Sequence, residues 1–109
     1  MTGMEALPEI VTQHLDEVRA LCEKYRVKRL AIFGSAVKGT FDPVTSDLDF
    51  VVEFYPYEPA GFDSPYFKLL VALQELFQRD IDLVVREAVR NPYFLQVLEL
   101  SEQPLYVAA

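Results

Sequence analysis

Short apolar runs alternate with longer segments of helical periodicity along the chain, and this alternation limits the fold more than any other feature. Three runs bounded by glycine, proline or polar residues have the length and composition of strands: Arg29–Phe33, Asp47–Phe54 and Asp80–Val85. Pro104–Val107 is a fourth candidate, and its proline restricts it to the edge of a sheet because proline cannot donate to a strand ladder.

Helical periodicity marks the longer segments between these strands. Glu5–Tyr25 is predicted to form a first long helix. Tyr66–Gln78 is predicted to form a second, with Phe67 and Val71 among its inward-facing residues. Asn91 is expected to cap a last helix that ends near Leu100.

The order of elements predicts an α+β fold with α/β-like character, in which helices flank a mixed sheet. The link between the first two strands is short and loop-like, which favours an antiparallel pair. The link between the second and third strands is long enough to hold a crossover helix. The 109 residues suit a single domain, 1–109, with one hydrophobic core.

Charge and hydropathy exclude several classes of protein. Ten Lys and Arg against 17 Asp and Glu give a net charge of -7, so we do not expect the chain to bind nucleic acid through a basic surface. No apolar stretch is long enough to span a membrane, and the start of the chain shows no signal peptide. The single cysteine, Cys22, excludes an internal disulfide and favours a cytoplasmic setting.

The hydrophobic content leaves two interpretations of the surface open. Hydrophobic residues make up 51% of the chain and the mean hydropathy is +0.12, which is high for so short a chain. Either the core is efficient, or an apolar surface is reserved for a partner, with the segment Tyr55–Phe67 and the last helix as candidates. A homo-oligomer also stays open.

The first predicted strand ends in Gly34-Ser35 and leads directly into a short predicted helix, Ser35–Lys38. Free backbone N–H groups and the positive end of a helix dipole favour an anion at such a joint. Gly34 permits close approach to the backbone, and Ser35 adds a hydroxyl donor. The alternative is a plain strand–turn–helix joint in which Ser35 only caps the helix.

Two acids lie at the start of the second predicted strand. Residues i and i+2 of a strand point to the same face, so Asp47 and Asp49 are expected to lie side by side. Their repulsion is relieved by a hard divalent cation such as Mg²⁺, which binds carboxylate, water and phosphate oxygens. The alternative is an exposed pair beside a turn that never meets a metal.

Asp82 is a third acid, and it interrupts an apolar strand that is expected to be buried on both faces. A buried carboxylate is costly unless it is paired or bound to metal. If this strand lies beside the second one, three acids meet in the arrangement used for in-line phosphoryl chemistry. The alternatives are a salt bridge or a solvent-facing strand end, and Asp80 could replace Asp82 in either role.

Together these residues resemble the signature of the DNA polymerase beta-like nucleotidyltransferase superfamily. Gly34-Ser35 is followed after eleven residues by Asp47-Leu48-Asp49, and Ile81-Asp82-Leu83-Val84 is similar to the third-acid strand of the minimal, antitoxin-type members. The resemblance covers roughly residues 10–107. It implies a mixed sheet flanked by helices.

The resemblance also implies roles for individual residues. Gly34 and Ser35 are expected to hold the β- and γ-phosphates of ATP. Asp47 and Asp49 are expected to bind two Mg²⁺ ions, and Asp82 to bind the catalytic ion and help take a proton from the attacking hydroxyl.

The chain departs from the family pattern at three places. Lys38 stands where another arginine is common and is a further candidate for nucleotide binding. Ala36 replaces an arginine that many minimal members place directly after Gly-Ser. The loop Thr40–Ser46 is one residue longer than usual.

The function implied by the resemblance is transfer of AMP from ATP to a hydroxyl. Small members of the family act as antitoxins that modify a partner HEPN-domain toxin or mask it, and the resemblance implies a tyrosine of such a toxin as the acceptor. The alternative is a catalytically weak binding subunit that neutralises its partner by contact. A small α/β domain without any site is a third interpretation, but it leaves the paired acids unexplained.

Overall fold

A computed structural model describes residues 7–38, 42, 46–58 and 61–108, although the side chains of Lys38 and Phe62 are outside this description. Within these ranges the chain forms five helices and four strands. In chain order they are α1 (Glu9–Thr12), α2 (Leu15–Lys24), β1 (Val27–Phe33), α3 (Ser35–Lys38), β2 (Leu48–Phe54), α4 (Pro65–Phe77), β3 (Ile81–Val85), α5 (Pro92–Ser101) and β4 (Gln103–Val107), with 3-10 turns at Gly61–Asp63 and Arg86–Ala88.

The four strands form one mixed sheet in the order β3-β2-β1-β4. Strand β1 pairs antiparallel with both β2 and β4, whereas β2 and β3 are parallel and are connected through α4. This confirms the predicted mixed sheet with flanking helices. It also confirms that the last strand, which contains Pro104, lies at an edge.

The second and third strands each begin one residue later than predicted. Strand β2 begins at Leu48 and β3 at Ile81, so Asp47 and Asp80 precede their strands. The backbone N–H of Leu48 donates to the carbonyl of Asp80 at 3.4 Å, which aligns the two strand starts. The prediction that Asp47 and Asp49 share a strand was therefore wrong.

The predicted first helix is broken into α1 and α2, and Glu5 lies outside the described residues. In a continuous helix the N–H of His14 would donate to the carbonyl of Ile10. Instead it donates to the carbonyl of Val11 at 3.1 Å, and His14 Nδ1 lies 2.8 Å from the Ile10 oxygen. The imidazole ring thus replaces a backbone hydrogen bond at the break.

Side chains alternate between the two faces of the sheet. One face packs against α2 and α4 and forms the main core, to which β2 contributes Leu48, Phe50 and Val52. The opposite face carries a smaller cluster in which Ala31 and Val51 pack with Leu98 of α5.

Helix α4 presents a different stripe to the core from the predicted one. Leu69, Leu73 and Phe77 are buried, whereas Phe67 and Val71 are exposed, so the prediction for these two residues was wrong. Ser64 caps the helix by accepting a hydrogen bond from the Phe67 N–H at 3.3 Å. Asn91 caps α5 as predicted, accepting from the Tyr93 N–H at 2.8 Å. None of the described helices is long and apolar enough to cross a membrane.

Cys22 is fully buried, as its place in the apolar stripe of α2 predicts. Burial, and then the charge of Glu23, raise the pKa of its thiol from 9.0 to about 12. Between these values the unfolded chain has lost the thiol proton and the folded chain keeps it. The free energy of unfolding should therefore fall as pH rises through this window, by up to about 1.4 kcal/mol per pH unit.

Urea unfolding of the parent and of Cys22→Ala, from about pH 8 to about pH 10.5, measures this effect. The parent should lose stability more steeply with pH than the variant, since both contain the same remaining titratable groups. Equal slopes would show that the thiol does not keep its proton in the folded state.

Candidate active site

Asp49 and Asp82 lie side by side on the two parallel strands. They are direct Cα partners in the register that also pairs Leu48 with Ile81 and Phe50 with Leu83. Since Leu48 and Phe50 face the main core, both acids face the opposite side of the sheet. Two of the three predicted acids are thus brought together by strand pairing alone.

Gly34 lies against the same acids. In the antiparallel pair β1–β2, Phe33 is the Cα partner of Asp49, and Gly34 follows directly after β1 with a φ of +74°. A Cβ built on Gly34 would overlap the carboxylate of Asp49 and lie 3.1 Å from its Cγ. The absence of a side chain at Gly34 therefore lets the Asp49 carboxylate rest against the strand–helix joint.

Asp82 is exposed, and the prediction that it would be buried on both sides was wrong. Strand β3 lies at the edge of the sheet, and Asp82 points to the face away from the main core. Solvent therefore lowers the cost of placing its charge beside that of Asp49.

Asp47 is exposed and directly precedes β2. Among the described residues, which include Asp47, Asp49 and Asp82, no three His, Cys, Asp or Glu side chains are placed so that they could hold a metal ion together. The structure thus brings Asp49 and Asp82 together, but it does not place Asp47 with them as a third ligand of one metal ion.

A model of the nucleotidyltransferase domain matches residues 17–102, which is most of the chain. The chain belongs to the nucleotidyltransferase-domain family. Two Methanocaldococcus jannaschii proteins described as candidate protein adenylyltransferases are 32% and 35% identical to it over 107 residues, and each alignment covers 98% of this chain and 100% of the relative.

Solved structures show the same fold. A candidate minimal nucleotidyltransferase superposes with a TM-score of 0.68 at 23% identity, covering 95% of this chain and 96% of that one. A chain from a toxin–antitoxin crystal structure with AMP-PNP gives a TM-score of 0.66 at 18% identity, covering 86% and 73%. A chain from the complex of a tri-AMPylated Shewanella oneidensis HEPN toxin with an MNT antitoxin gives 0.62 at 16% identity, covering 89% and 72%.

The acid pair of this nucleotidyltransferase domain suits the divalent cation that the family resemblance implies. Asp49 and Asp82 supply two adjacent hard oxygen donors, and Mg²⁺ commonly takes one or two protein carboxylates together with water and phosphate oxygens. Asp47 lies directly before β2, two residues before Asp49. The donor chemistry of the acid pair therefore fits Mg²⁺.

Two predicted phosphate-binding residues begin and end the short helix α3. Ser35 is its half-buried first residue, directly after Gly34. Lys38 ends the helix, and the position of its side chain is not described. Helix α3 has only four residues, so its dipole is small. Backbone N–H groups at its start and the Ser35 hydroxyl are therefore the main groups with which it could bind an anion.

Tyr66, which lies in the segment Tyr55–Phe67 considered above as a partner surface, is a neighbour of the site. Its hydroxyl donates to the carbonyl of Leu83 at 2.7 Å and so ties α4 to the strand that carries Asp82. Burial, followed by the charges of Asp82 and Tyr57, raises the pKa of Tyr66. The phenol therefore stays protonated and keeps its hydrogen bond at neutral pH.

The contact between Gly34 and Asp49 predicts that Gly34→Ala is strongly destabilising. Alanine adds both the cost of a positive φ, about 1 kcal/mol, and a clash with the Asp49 carboxylate. Gly61→Ala is the matched control, because Gly61 has a φ of +58° and a Cβ there meets no described atom within 4 Å.

Urea unfolding of both variants separates the two costs. Gly34→Ala should lose clearly more stability than Gly61→Ala, and the difference reports the clash alone. Equal losses would show that the Asp49 carboxylate does not rest on Gly34.

Proposed function

We propose that the chain is a Mg²⁺-dependent nucleotidyltransferase that transfers AMP from ATP to a hydroxyl of a partner protein. The acceptor we propose is a tyrosine of a HEPN-type toxin, so that the chain acts as the antitoxin of a toxin–antitoxin pair. The observation that carries this proposal is the alignment of Asp49 with Asp82 beside Gly34, in a member of the nucleotidyltransferase-domain family.

The relatives support the choice of substrate and partner. The Methanocaldococcus jannaschii proteins are described as candidate protein adenylyltransferases and align over their full length. The structural neighbours include complexes that contain AMP-PNP or an AMPylated HEPN toxin. We extend these properties to this chain as a single catalytic domain, 1–109, acting in the cytoplasm.

The proposed reaction is an in-line displacement at the α-phosphorus of ATP. The acceptor oxygen forms a bond to this phosphorus, the bond to the bridging oxygen breaks, and pyrophosphate leaves. Two Mg²⁺ ions, when bound, supply charge neutralisation for the phosphates and the leaving group. Asp47, Asp49 and Asp82 are the residues that we propose as ligands.

Binding of the triphosphate and removal of the acceptor proton are assigned to side chains and backbone groups of the protein. Gly34, Ser35 and Lys38 are proposed to hold the triphosphate. Position 36 is an alanine here, whereas many minimal members of the family have an arginine there. Asp82, exposed at the edge of the sheet, is open to the approach of a large acceptor such as a protein tyrosine. It is proposed to take the hydroxyl proton as the new bond forms.

Asp49→Asn tests the catalytic site. Transfer of labelled AMP to co-purified partner proteins should fall at least about 100-fold, because the variant loses a charged metal ligand. Thermal stability in chelator should stay unchanged or rise slightly, since one of two adjacent negative charges is removed. The stabilisation of the parent by Mg²⁺ with ATP should disappear in the variant.

Asp82→Asn should lose transfer in the same way, and Asp80→Asn is its matched control. Asp80 is an exposed acid two residues earlier that precedes β3. Intact-mass analysis of the acceptor measures all three variants. Full activity of Asp49→Asn, or loss of activity in Asp80→Asn but not in Asp82→Asn, would contradict the assignment.

A second function is favoured by an apolar stripe on α5. Tyr93, Val97 and Leu100 follow helical spacing and are 78%, 50% and 81% exposed. Residues three and four apart share one face of a helix, so these side chains form a continuous surface. This favours a binding subunit that neutralises its partner by contact, with or without nucleotidyl transfer.

Val97→Glu tests the contact function by placing a charge in the stripe. Affinity for the co-purified partner should fall at least about tenfold, because a charge at the centre of an apolar interface is costly to desolvate. Gln74→Glu is the control, since it adds the same charge at an exposed position of a different helix, α4. Equal affinity of the two variants in calorimetry would exclude this stripe as the interface.

The two functions are separated by Asp49→Asn combined with Asp82→Asn. A partner toxin that stays neutralised by this variant is controlled by contact. A toxin that regains activity is controlled by nucleotidyl transfer.

A further inference from the structure

We propose that Arg79 is a positioning residue that holds the segment carrying Asp47 beside the start of β3. This inference rests on the proposed function, because it assigns Arg79 a task in the same site. Arg79 lies in the connection between α4 and β3, directly after Gln78, which ends α4 in the left-handed conformation with a φ of +54°.

The first observation is a long-range hydrogen bond. Arg79 Nη1 donates to the carbonyl of Ser46 at 2.9 Å in a partly buried setting, although the residues are 33 positions apart. Ser46 directly precedes Asp47, so the guanidinium holds the backbone on the N-terminal side of the acid.

The second observation is that the other side of Asp47 is held from the same connection. The N–H of Leu48 donates to the carbonyl of Asp80 at 3.4 Å. Asp47 therefore lies between two residues that are tied to consecutive positions, Arg79 and Asp80. Breaking the Arg79 contact removes the tie between the N-terminal side of the acid and this connection.

The third observation is that Ser46 is also hydrogen-bonded to Asp42. The Ser46 N–H donates to the Asp42 carbonyl at 3.0 Å, and the Asp42 N–H donates to Ser46 Oγ at 2.9 Å. Arg79 thus contacts a residue that is also bonded to Asp42. A change at Arg79 affects the Ser46–Asp42 contact and Asp47 together.

Arginine suits this task better than lysine. Its planar fork reaches a carbonyl with a fixed direction, whereas a lysine ammonium on a flexible stem holds the same oxygen less precisely. Partners that orient metal ligands typically contribute 10- to 100-fold to metal affinity. We therefore expect Arg79→Gln to weaken Mn²⁺ binding about tenfold, and Arg79→Lys to lie between this variant and the parent.

Mn²⁺ titration followed by electron paramagnetic resonance, with and without AMP-PNP, measures this effect independently of catalysis. Arg19→Gln is the matched control, because Arg19 Nε also donates to a backbone carbonyl, that of Leu105, at 3.1 Å. The control should leave Mn²⁺ affinity unchanged. Thermal melts of every variant identify those that fail to fold, and Arg79→Lys provides a milder change.

A double-mutant cycle with Asp47→Asn tests whether Arg79 acts through Asp47. In the Asp47→Asn background, Arg79→Gln should have little further effect on Mn²⁺ affinity or on kcat, because the group that it positions is gone. In the parent background kcat should fall about tenfold, while the KM for ATP changes little.

The proposal is overturned by any of the following results. One is unchanged Mn²⁺ affinity in folded Arg79→Gln, or a parent that binds no Mn²⁺. The second is full additivity with Asp47→Asn. The third is a raised KM for ATP at constant kcat, which would make Arg79 a direct phosphate contact. If the parent binds Mn²⁺ but transfers no AMP to any acceptor, the proposed function fails and the Mn²⁺ titration still decides the role of Arg79.

Discussion

The parallel register of β2 and β3 places Asp49 beside Asp82, and the rest of the candidate site depends on this pairing. Two unit charges about 5 Å apart repel by about 1 kcal/mol in bulk water and by about 3 kcal/mol at an effective dielectric of 20. The exposure of Asp82 brings the cost toward the lower value. On the other face, burial of an aliphatic side chain such as Leu48 contributes about 1.5 to 3 kcal/mol. The apolar face therefore sets the register, and a slip by one residue would turn the core side chains outward.

Gly34 links this acid pair to the strand–helix joint. Antiparallel pairing places the end of β1 beside Asp49. The Asp49 carboxylate packs against Gly34, where a Cβ would overlap it. The same residue reverses the chain with a positive φ so that α3 can begin at Ser35. One glycine thus satisfies a backbone requirement and a packing requirement, and it brings the strand–helix joint into contact with Asp49 although eleven residues separate Ser35 from Asp47.

The fold and the residues of the site differ in how far they can be predicted from the sequence. The presence of each strand and helix follows from the periodicity of apolar residues. The pairing of Asp49 with Asp82 follows from the alternation of apolar residues once β2 and β3 are placed side by side in parallel. The break at His14 could not be foreseen, because it depends on a ring that replaces a backbone hydrogen bond. The exposure of Asp82 depends on β3 being an edge strand, which the local sequence does not show. Tyr66 and Arg79 act through backbone carbonyls distant in sequence, and such contacts leave no local pattern.

Charged side chains on the α5 face of the sheet form two different arrangements at its two ends. At the end of the strands opposite to Asp49, Arg29 of β1 lies 3.9 Å from Glu53 of β2 and 3.1 Å from Glu102. Arg86, which follows β3, lies 3.2 Å from Glu53 and also contacts Glu102. Each carboxylate there meets two guanidinium groups, so the network joins β1, β2, the turn after β3 and the end of α5 with its charges compensated. At the other end the strand neighbour of Asp49 is a second acid. The contrast between this compensated network and the neighbouring acids Asp49 and Asp82 supports the proposal that the acid pair binds a cation together with the substrate.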